Sequence, residues 1–121
     1  MNSITKDLMA VSGVPLILLI IKESGESYGY EISKKISELS ENKIIWKDGS
    51  LYPVLKKLEK KQWIRSVWRY TQANKKRKYY TITEKGKIEL IRLLNEWFLV
   101  NQSLKSLCSN DTIVRYVEKF D

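Results

Sequence analysis

The hydrophobic pattern of this sequence changes its period twice, and this change limits the fold more than any other feature. Apolar residues first recur at helical spacing, then alternate with polar residues, and finally recur in heptads. The predicted segments are helices over 4–23, 28–40 and from Asp48 onward, strands over 63–70 and 78–83, and a last helix over 84–107. Three helices, a hairpin and a long helix are the order of a winged helix-turn-helix, so we expect a mainly α fold with a small β-hairpin wing.

The helical pattern also predicts which side chains are buried. In the second helix, Ile32, Ile36 and Leu39 share one face at i, i+4 and i+7. The first helix is apolar on nearly every side over residues 14–21, which favours burial against both the core and a partner chain. Pro15 has no N–H, so we expect a kink or a new helix start at that point.

The predicted hairpin has a polar loop without glycine. Ile64, Trp68 and Tyr70 alternate with polar residues and therefore share one face of the first strand. Asn74 is the loop residue that we expect to accept a positive φ.

The positive charge lies in one block of the chain. Residues 43–87 hold 14 basic and 3 acidic residues, whereas the remainder holds 8 basic and 11 acidic ones. A block of this kind indicates a polyanionic partner, either nucleic acid or an anionic membrane surface, although a solvated basic face without a partner fits the charge as well. The predicted third helix and wing both fall inside the block, which favours duplex DNA.

Several classes of protein do not fit the residues present. The chain has no histidine and one cysteine, so Ser-His-Asp and Cys-His sites, histidine-ligated metals and a disulfide-stapled fold are excluded. We find no paired carboxylates or glycine-rich phosphate loop, and we predict no enzyme, catalytic residue, metal or cofactor. The longest apolar run, residues 14–21, is too short to span a membrane, so we expect a cytoplasmic protein without a membrane partner.

The last predicted helix carries more apolar surface than a short chain can cover. One stripe has heptad a/d spacing and predicts a homodimer seam made of Leu90, Leu93, Trp97, Val100, Leu104 and Leu107. A second stripe contains Ile88, Ile91, Leu94 and Phe98, so a doubly covered core helix is the alternative. We therefore predict a winged-helix domain over 1–83 that includes the N-terminal helix, a dimerisation helix over 84–107, and a short tail over 108–121 that can dock as a helix.

Three motifs in this order resemble the PadR family of bacterial winged-helix regulators. They are Tyr28-Gly29-Tyr30-Glu31-Ile32, Gly49-Ser50-Leu51-Tyr52-Pro53-Val54-Leu55-Lys56-Lys57-Leu58-Glu59, and Arg77-Lys78-Tyr79-Tyr80-Thr81-Ile82-Thr83 with Gly86. The resemblance implies a dimeric transcriptional repressor that binds operator DNA. Since a dimer presents two recognition helices, we expect an operator with inverted half-sites. The chain departs from the family at Gln62, where glycine usually ends the third helix, and in its wing tip, which is usually rich in glycine.

The residues that we expect to contact DNA lie on the second and third helices and on the wing. They are Tyr30, Ser50, Tyr52, Lys56, Lys57, Lys75, Lys76, Arg77 and Lys78. The third helix has no arginine, asparagine or glutamine before Gln62, so bidentate reading of bases is scarce and DNA shape is expected to carry much of the specificity.

Trp97 is the one large aromatic residue at a seam position that otherwise takes Leu or Ile. Two indoles that face each other across a two-fold axis can enclose a planar aromatic or cationic small molecule. By resemblance to drug-responsive family members, Met9, Leu16 and Asn101 line the same site. The alternative is that Trp97 fills the dimer core.

These observations predict a homodimeric, sequence-specific DNA-binding regulator, released from DNA by a planar ligand if Trp97 forms such a site. The alternative from another class is a winged-helix adaptor that recruits a protein and does not read DNA.

Overall fold

A computed structural model of the protein describes residues 6–46, 48–108 and 115, with the backbone alone at residues 6–12 and 48. The chain divides into two units, Met1–Leu90 and Ile91–Asp121. The elements are α1 (Lys6–Ser24), α2 (Gly29–Leu39), α3 (Asp48–Lys60), β1 (Ile64–Tyr70), β2 (Lys76–Ile82) and α4 (Glu84–Leu107). This order confirms the mainly α fold with a hairpin wing.

The core of the first unit lies where α1, α2 and α3 meet. The side chains without exposed surface there are Ile17, Leu18, Ile21, Ile32, Leu51 and Leu55. The expected burial of Leu39 is wrong, because this residue ends α2 and is 76% exposed. Of the two expectations for Pro15, a new helix start is wrong, because α1 runs through this residue, and a kink stays a prediction.

Trp46 closes one side of this core and explains why α1 contains a glycine. The indole is 7% exposed, and a Cβ atom at Gly13 would stand 2.6 Å from its Cζ3 atom. A carbon atom at this distance would displace the ring, so the Trp46 indole packs against α1 only because Gly13 has no side chain.

At the end of α3, Gln62 occupies the position where the family usually has a glycine in a left-handed conformation. Gln62 adopts φ 65°, and the N–H groups of Gln62 and Trp63 bond the carbonyls of Glu59 and Leu58 at 2.9 and 3.0 Å. This is the hydrogen-bond pattern of a Schellman motif. Gln62 therefore tolerates a left-handed conformation that is unfavourable by roughly 1–2 kcal/mol for a residue with a Cβ.

The two strands form an antiparallel hairpin in which Ile64 pairs with Ile82 and Tyr70 with Lys76. The second strand begins at Lys76, two residues earlier than the sequence predicts. Asn74 has φ 59°, which confirms its predicted role in the loop. At the base of the hairpin, Ser27 and Tyr80 exchange backbone hydrogen bonds of 3.0 and 2.7 Å, which attach the wing to the segment before α2.

The connection from the hairpin to α4 is held in place by Thr83 and by the close packing of Gly86. Thr83 Oγ1 accepts a hydrogen bond from the N–H of Gly86 at 2.9 Å, which confirms the predicted N-cap. The first turn of α4 passes so close to the hairpin that a Cβ at Gly86 would lie 2.9 Å from the carbonyl carbon of Trp63 and 2.8 Å from Cγ1 of Ile82. Only glycine fits at this crossing.

Candidate nucleic-acid interface

The two faces of α3 have opposite chemistry. Leu51, Leu55 and Leu58 are at most 1% exposed, and they fix the rotation of the helix about its axis. This rotation leaves a set of polar and basic residues exposed, namely Ser50, Tyr52, Lys56, Lys57 and Lys60. The exposed set contains every α3 residue that we predict to contact DNA.

Tyr52 is held by the start of α2. Its ring lies against Gly29, where a Cβ atom would come within 2.9 Å of the phenol oxygen. Gly29 is buried, whereas Tyr30 beside it is 63% exposed. The absence of a side chain at Gly29 thus brings Tyr52 next to Tyr30, on the outer surface of the first unit.

A ladder of aromatic and cationic groups joins the wing to α2. The Arg77 guanidinium lies 4.1 Å from the ring centroid of Tyr28, and Tyr28 meets Tyr79 edge-on with centroids 5.5 Å apart. On the far side, Arg69 lies 5.2 Å from the Tyr79 ring and forms an ion pair with Glu26. Arg77 is therefore oriented by stacking, and no carboxylate neutralises it among the ion pairs of the described residues.

A carboxylate near the end of α3 joins that helix to both strands. Glu59 accepts hydrogen bonds from the Ser66 hydroxyl of β1 and, at 3.1 Å, from Lys78 Nζ of β2. The bond from Ser66, opposed by partial burial and aided by Lys78, lowers the pKa of Glu59 below its ordinary value of 4.5. Burial, with smaller effects of Glu59 and Tyr52, raises the pKa of Tyr80 to about 12, so this buried phenol stays neutral.

A groove of about 590 Å³ runs between α3 and the wing. Its lining contains four cations, one carboxylate, four tyrosines, one tryptophan and one glycine: Lys56, Lys76, Arg77, Lys78, Glu59, Tyr28, Tyr30, Tyr52, Tyr80, Trp68 and Gly29. Because Glu59 is already paired with Lys78, the three other cations give the groove an excess of positive charge. We call this feature the α3–wing groove.

The groove brings together six of the nine residues predicted to contact DNA, and Ser50, Lys57 and Lys75 lie outside its lining. Three residues of the lining, Tyr28, Glu59 and Trp68, are not among the DNA-contacting residues that the sequence predicts. Trp68 was placed on the same strand face as Ile64, yet Ile64 is 1% exposed and Trp68 57%. The exposure of Trp68 could have been predicted from the length of the hairpin, because the outer half of a two-stranded hairpin extends past any helix that could cover it.

The second unit has a different surface. Trp97, Val100, Leu104 and Leu107 of the predicted seam are between 50 and 84% exposed, and Trp97 meets Phe98 edge-on at 5.5 Å. In the first unit the seam residue Leu90 is buried, at 2% exposure.

The remaining predicted ligand residues belong to two helices, Met9 and Leu16 to α1 and Asn101 to α4. Asn101 on α4 and Leu16 on α1 are half-buried, and the side chain of Met9 lies outside the described residues. The predicted tail helix also lies outside them, apart from residues 108 and 115.

Two further properties of the described part of the chain bear on its function. No three His, Cys, Asp or Glu residues there are grouped so that they could hold a metal ion. None of the described helices is long and apolar enough to cross a membrane.

Known proteins are similar to this chain in fold and in sequence. Residues 17–92 match the model of the transcriptional regulator PadR-like family. An uncharacterized protein of Lysinibacillus sphaericus is 41% identical over 87 residues, which are 72% of this chain and 79% of that protein. A transcriptional regulator from Clostridium thermocellum has a similar structure, with a TM-score of 0.75, 30% identity, and coverage of 84% of this chain and 97% of that one. A PadR-like transcriptional regulator from Bacillus cereus superposes with a TM-score of 0.74 at 30% identity, over 87% of this chain and 99% of its own.

Proposed function

The chain belongs to the PadR-like family, whose members regulate transcription and are not enzymes, and from this premise we propose that it is a homodimeric repressor that binds operator DNA. The observation that carries the proposal is the α3–wing groove. An excess of cations beside exposed tyrosine hydroxyls suits a phosphodiester backbone, because cations neutralise phosphates and hydroxyls donate hydrogen bonds to them.

In the proposed complex, α3 enters the major groove and the wing follows the adjacent minor groove. Tyr52 and Lys56 then face the DNA from α3, and Lys76 and Arg77 face it from the wing. The other proposed contacts are Tyr30, Ser50, Lys57 and Lys75. Lys78 also lines the groove, but its ammonium group is paired with Glu59, so this pair adds no net charge.

We assign dimerisation to the helix over 84–107 and DNA binding to residues 1–83. Support comes from the exposed apolar side chains of α4, of which Leu107 is 84% and Val100 61% exposed. Two recognition helices related by a two-fold axis require inverted half-sites about one turn of DNA apart, or a multiple of it.

Release by a ligand is the last part of the proposal. Trp97 is half-exposed at 50%, so two copies of its indole across the dimer axis can stack on a planar aromatic cation. Met9, Leu16 and Asn101 are the further lining residues that the family resemblance implies. A cationic planar dye should bind the wild-type dimer and weaken its hold on DNA by the same factor by which DNA weakens dye binding.

Titrating such a dye into the wild type and into Trp97→Ala tests this site. We expect the variant to lose about tenfold or more in dye affinity, since each lost stack contributes roughly 1 kcal/mol. Equal affinity of the two proteins would mean that Trp97 belongs to the dimer core alone.

The adaptor alternative makes a different prediction about salt. Phosphate contacts release counterions, so duplex binding by the wild type should weaken steeply between 50 and 200 mM salt, on the order of a hundredfold or more. Lys76→Ala should reduce the slope of log K against log salt by about one, whereas Lys105→Ala, on α4, should leave it unchanged. Weak binding without a salt slope would favour the adaptor.

A further inference from the structure

Trp68 is a large apolar side chain that the core of the first unit leaves mostly uncovered. It follows Ile64 by four residues on the same strand face, so it lies about 13 Å further out along the wing. Ile64 is buried at the base of the hairpin, whereas the indole of Trp68 is 57% exposed. Together with Tyr30 and Tyr52, which are 63 and 49% exposed in the lining of the same groove, it forms an exposed aromatic patch, and such patches mark binding surfaces.

The indole is nevertheless held by its neighbours. Lys78 is its direct cross-strand partner, and the ammonium groups of Lys76 and Lys78 lie 5.2 and 5.7 Å from the indole ring centroid. Lys78 in turn is bound to Glu59 of α3. Trp68 is thus an apolar surface in a cationic setting, oriented toward the α3–wing groove that it lines.

The shape of duplex DNA determines what must enter this groove. If α3 lies in the major groove and the wing in the adjacent minor groove, the sugar-phosphate strand between those two grooves passes between α3 and the wing. Such a strand alternates an anionic phosphate with a deoxyribose that has an apolar face. The groove has both complements, with Lys56, Lys76 and Arg77 for phosphates and Trp68 for the sugar.

We propose that the α3–wing groove holds one sugar-phosphate strand of duplex DNA, with Trp68 packed on a deoxyribose and Lys76 on the neighbouring phosphate. The inference rests on the proposed function and adds to it a contact that is apolar and independent of base sequence. Because burying an indole releases no counterions, this contact strengthens binding at every salt concentration by the same factor.

The test uses full-length protein and a 24-base-pair duplex of random sequence labelled with fluorescein. In fluorescence anisotropy we expect Trp68→Ala to bind about tenfold more weakly, with the salt slope unchanged. Lys76→Ala should instead lower the slope by about one. The matched control is Val67→Ala, since Val67 is the preceding residue of β1, is 49% exposed, and lies on the opposite strand face, outside the groove lining.

A measurement on the wild type keeps the proposal testable if Trp68→Ala does not fold. Incorporated 5-fluorotryptophan gives one fluorine signal for each of the four tryptophans, and Trp68→Phe assigns the signal of residue 68. The signal of an exposed indole shifts between H₂O and D₂O. We expect that shift to disappear for Trp68 in saturating duplex, while Trp46, which is buried already, changes little.

The outcomes separate the two levels of the argument. Duplex binding by the wild type together with full affinity in Trp68→Ala, or a solvent shift of Trp68 that persists in the complex, overturns this inference and leaves the proposed function standing. A wild type that binds no duplex overturns both.

Discussion

The α3–wing groove and the half of α4 beyond Leu90 both expose large aromatic side chains, but their settings differ. In the groove the aromatic rings are accompanied by cations: Arg77 on Tyr28, and Lys76 and Lys78 on Trp68. Along Ile91–Leu107 the exposed Trp97 and Phe98 contact each other, and the charged residues are only Arg92, Glu96 and Lys105.

The two surfaces therefore suit different partners. Aromatic rings among cations suit a polyanion, whose phosphates meet the cations while its apolar parts meet the rings. An apolar stripe with few charges suits another apolar stripe, and a second copy of the same helix supplies one. Substitutions inside the first unit should therefore change the folding stability of a single chain, whereas substitutions on α4 beyond Leu90 should change the association of two chains.

The largest effect is expected at Gly86, inside the first unit. A Cβ atom there would press on the backbone of Trp63, which cannot move without opening the hairpin. We expect Gly86→Ala to lower the free energy of unfolding by about 4 kcal/mol or more, at every protein concentration. Urea denaturation at two concentrations measures this, and a loss below about 1 kcal/mol would show that the crossing relaxes easily.

The next effect concerns α4 beyond Leu90. Val100→Lys with Leu104→Lys places two ammonium groups on positions that are 61 and 57% exposed within one chain, so the fold of the chain should survive. In a dimer seam the same ammonium groups would lose their hydration. Each buried, unpaired charge would destabilise the dimer by on the order of several kcal/mol. In analytical ultracentrifugation we expect the variant to sediment as a folded monomer and the wild type to sediment as a dimer.

The control for that variant is Lys105→Glu, which changes charge on α4 outside the proposed seam. A double-lysine variant that sediments as a stable dimer would place the dimer interface elsewhere and remove the distinction between the two regions.

A smaller effect is expected at Gly13. Replacing glycine by alanine inside a helix ordinarily stabilises it by about 1 kcal/mol, but at Gly13 the new methyl group would overlap the Trp46 ring. We therefore expect a net loss of roughly 1–3 kcal/mol for Gly13→Ala. Gly49→Ala is the matched control, since nothing lies within 4 Å of a Cβ built there. Equal thermal unfolding temperatures for the two variants would contradict the packing of Trp46 on α1.

The sequence predicts the elements well because each is determined by local rules. The heptad spacing and Thr83 define α4 at both ends, and Asn74 is the one loop residue suited to φ > 0. Leu39 lies on the predicted apolar face of its helix but is exposed, and Trp68 shares a strand face with the buried Ile64 yet is 57% exposed. Periodicity gives the face of a residue and not how far the neighbouring elements reach.

The side-chain contacts between the wing and the helices could not be predicted from the sequence, for a related reason. Glu59 and Lys78 are 19 residues apart, and Arg77 stacks on Tyr28 from another element, so these contacts exist only once the hairpin has packed. The basic block indicated a polyanion site, but which cations would be free and which paired depended on that packing.

We propose that two copies of this chain bind duplex DNA through the α3–wing groove. Repeated selection of bound duplexes from a random-sequence pool, followed by sequencing, tests it most directly. We expect enriched sites with inverted half-sites about 10 base pairs apart, or a multiple of that distance. A wild-type protein that enriches no sequence, or sites without dyad symmetry, would contradict the account.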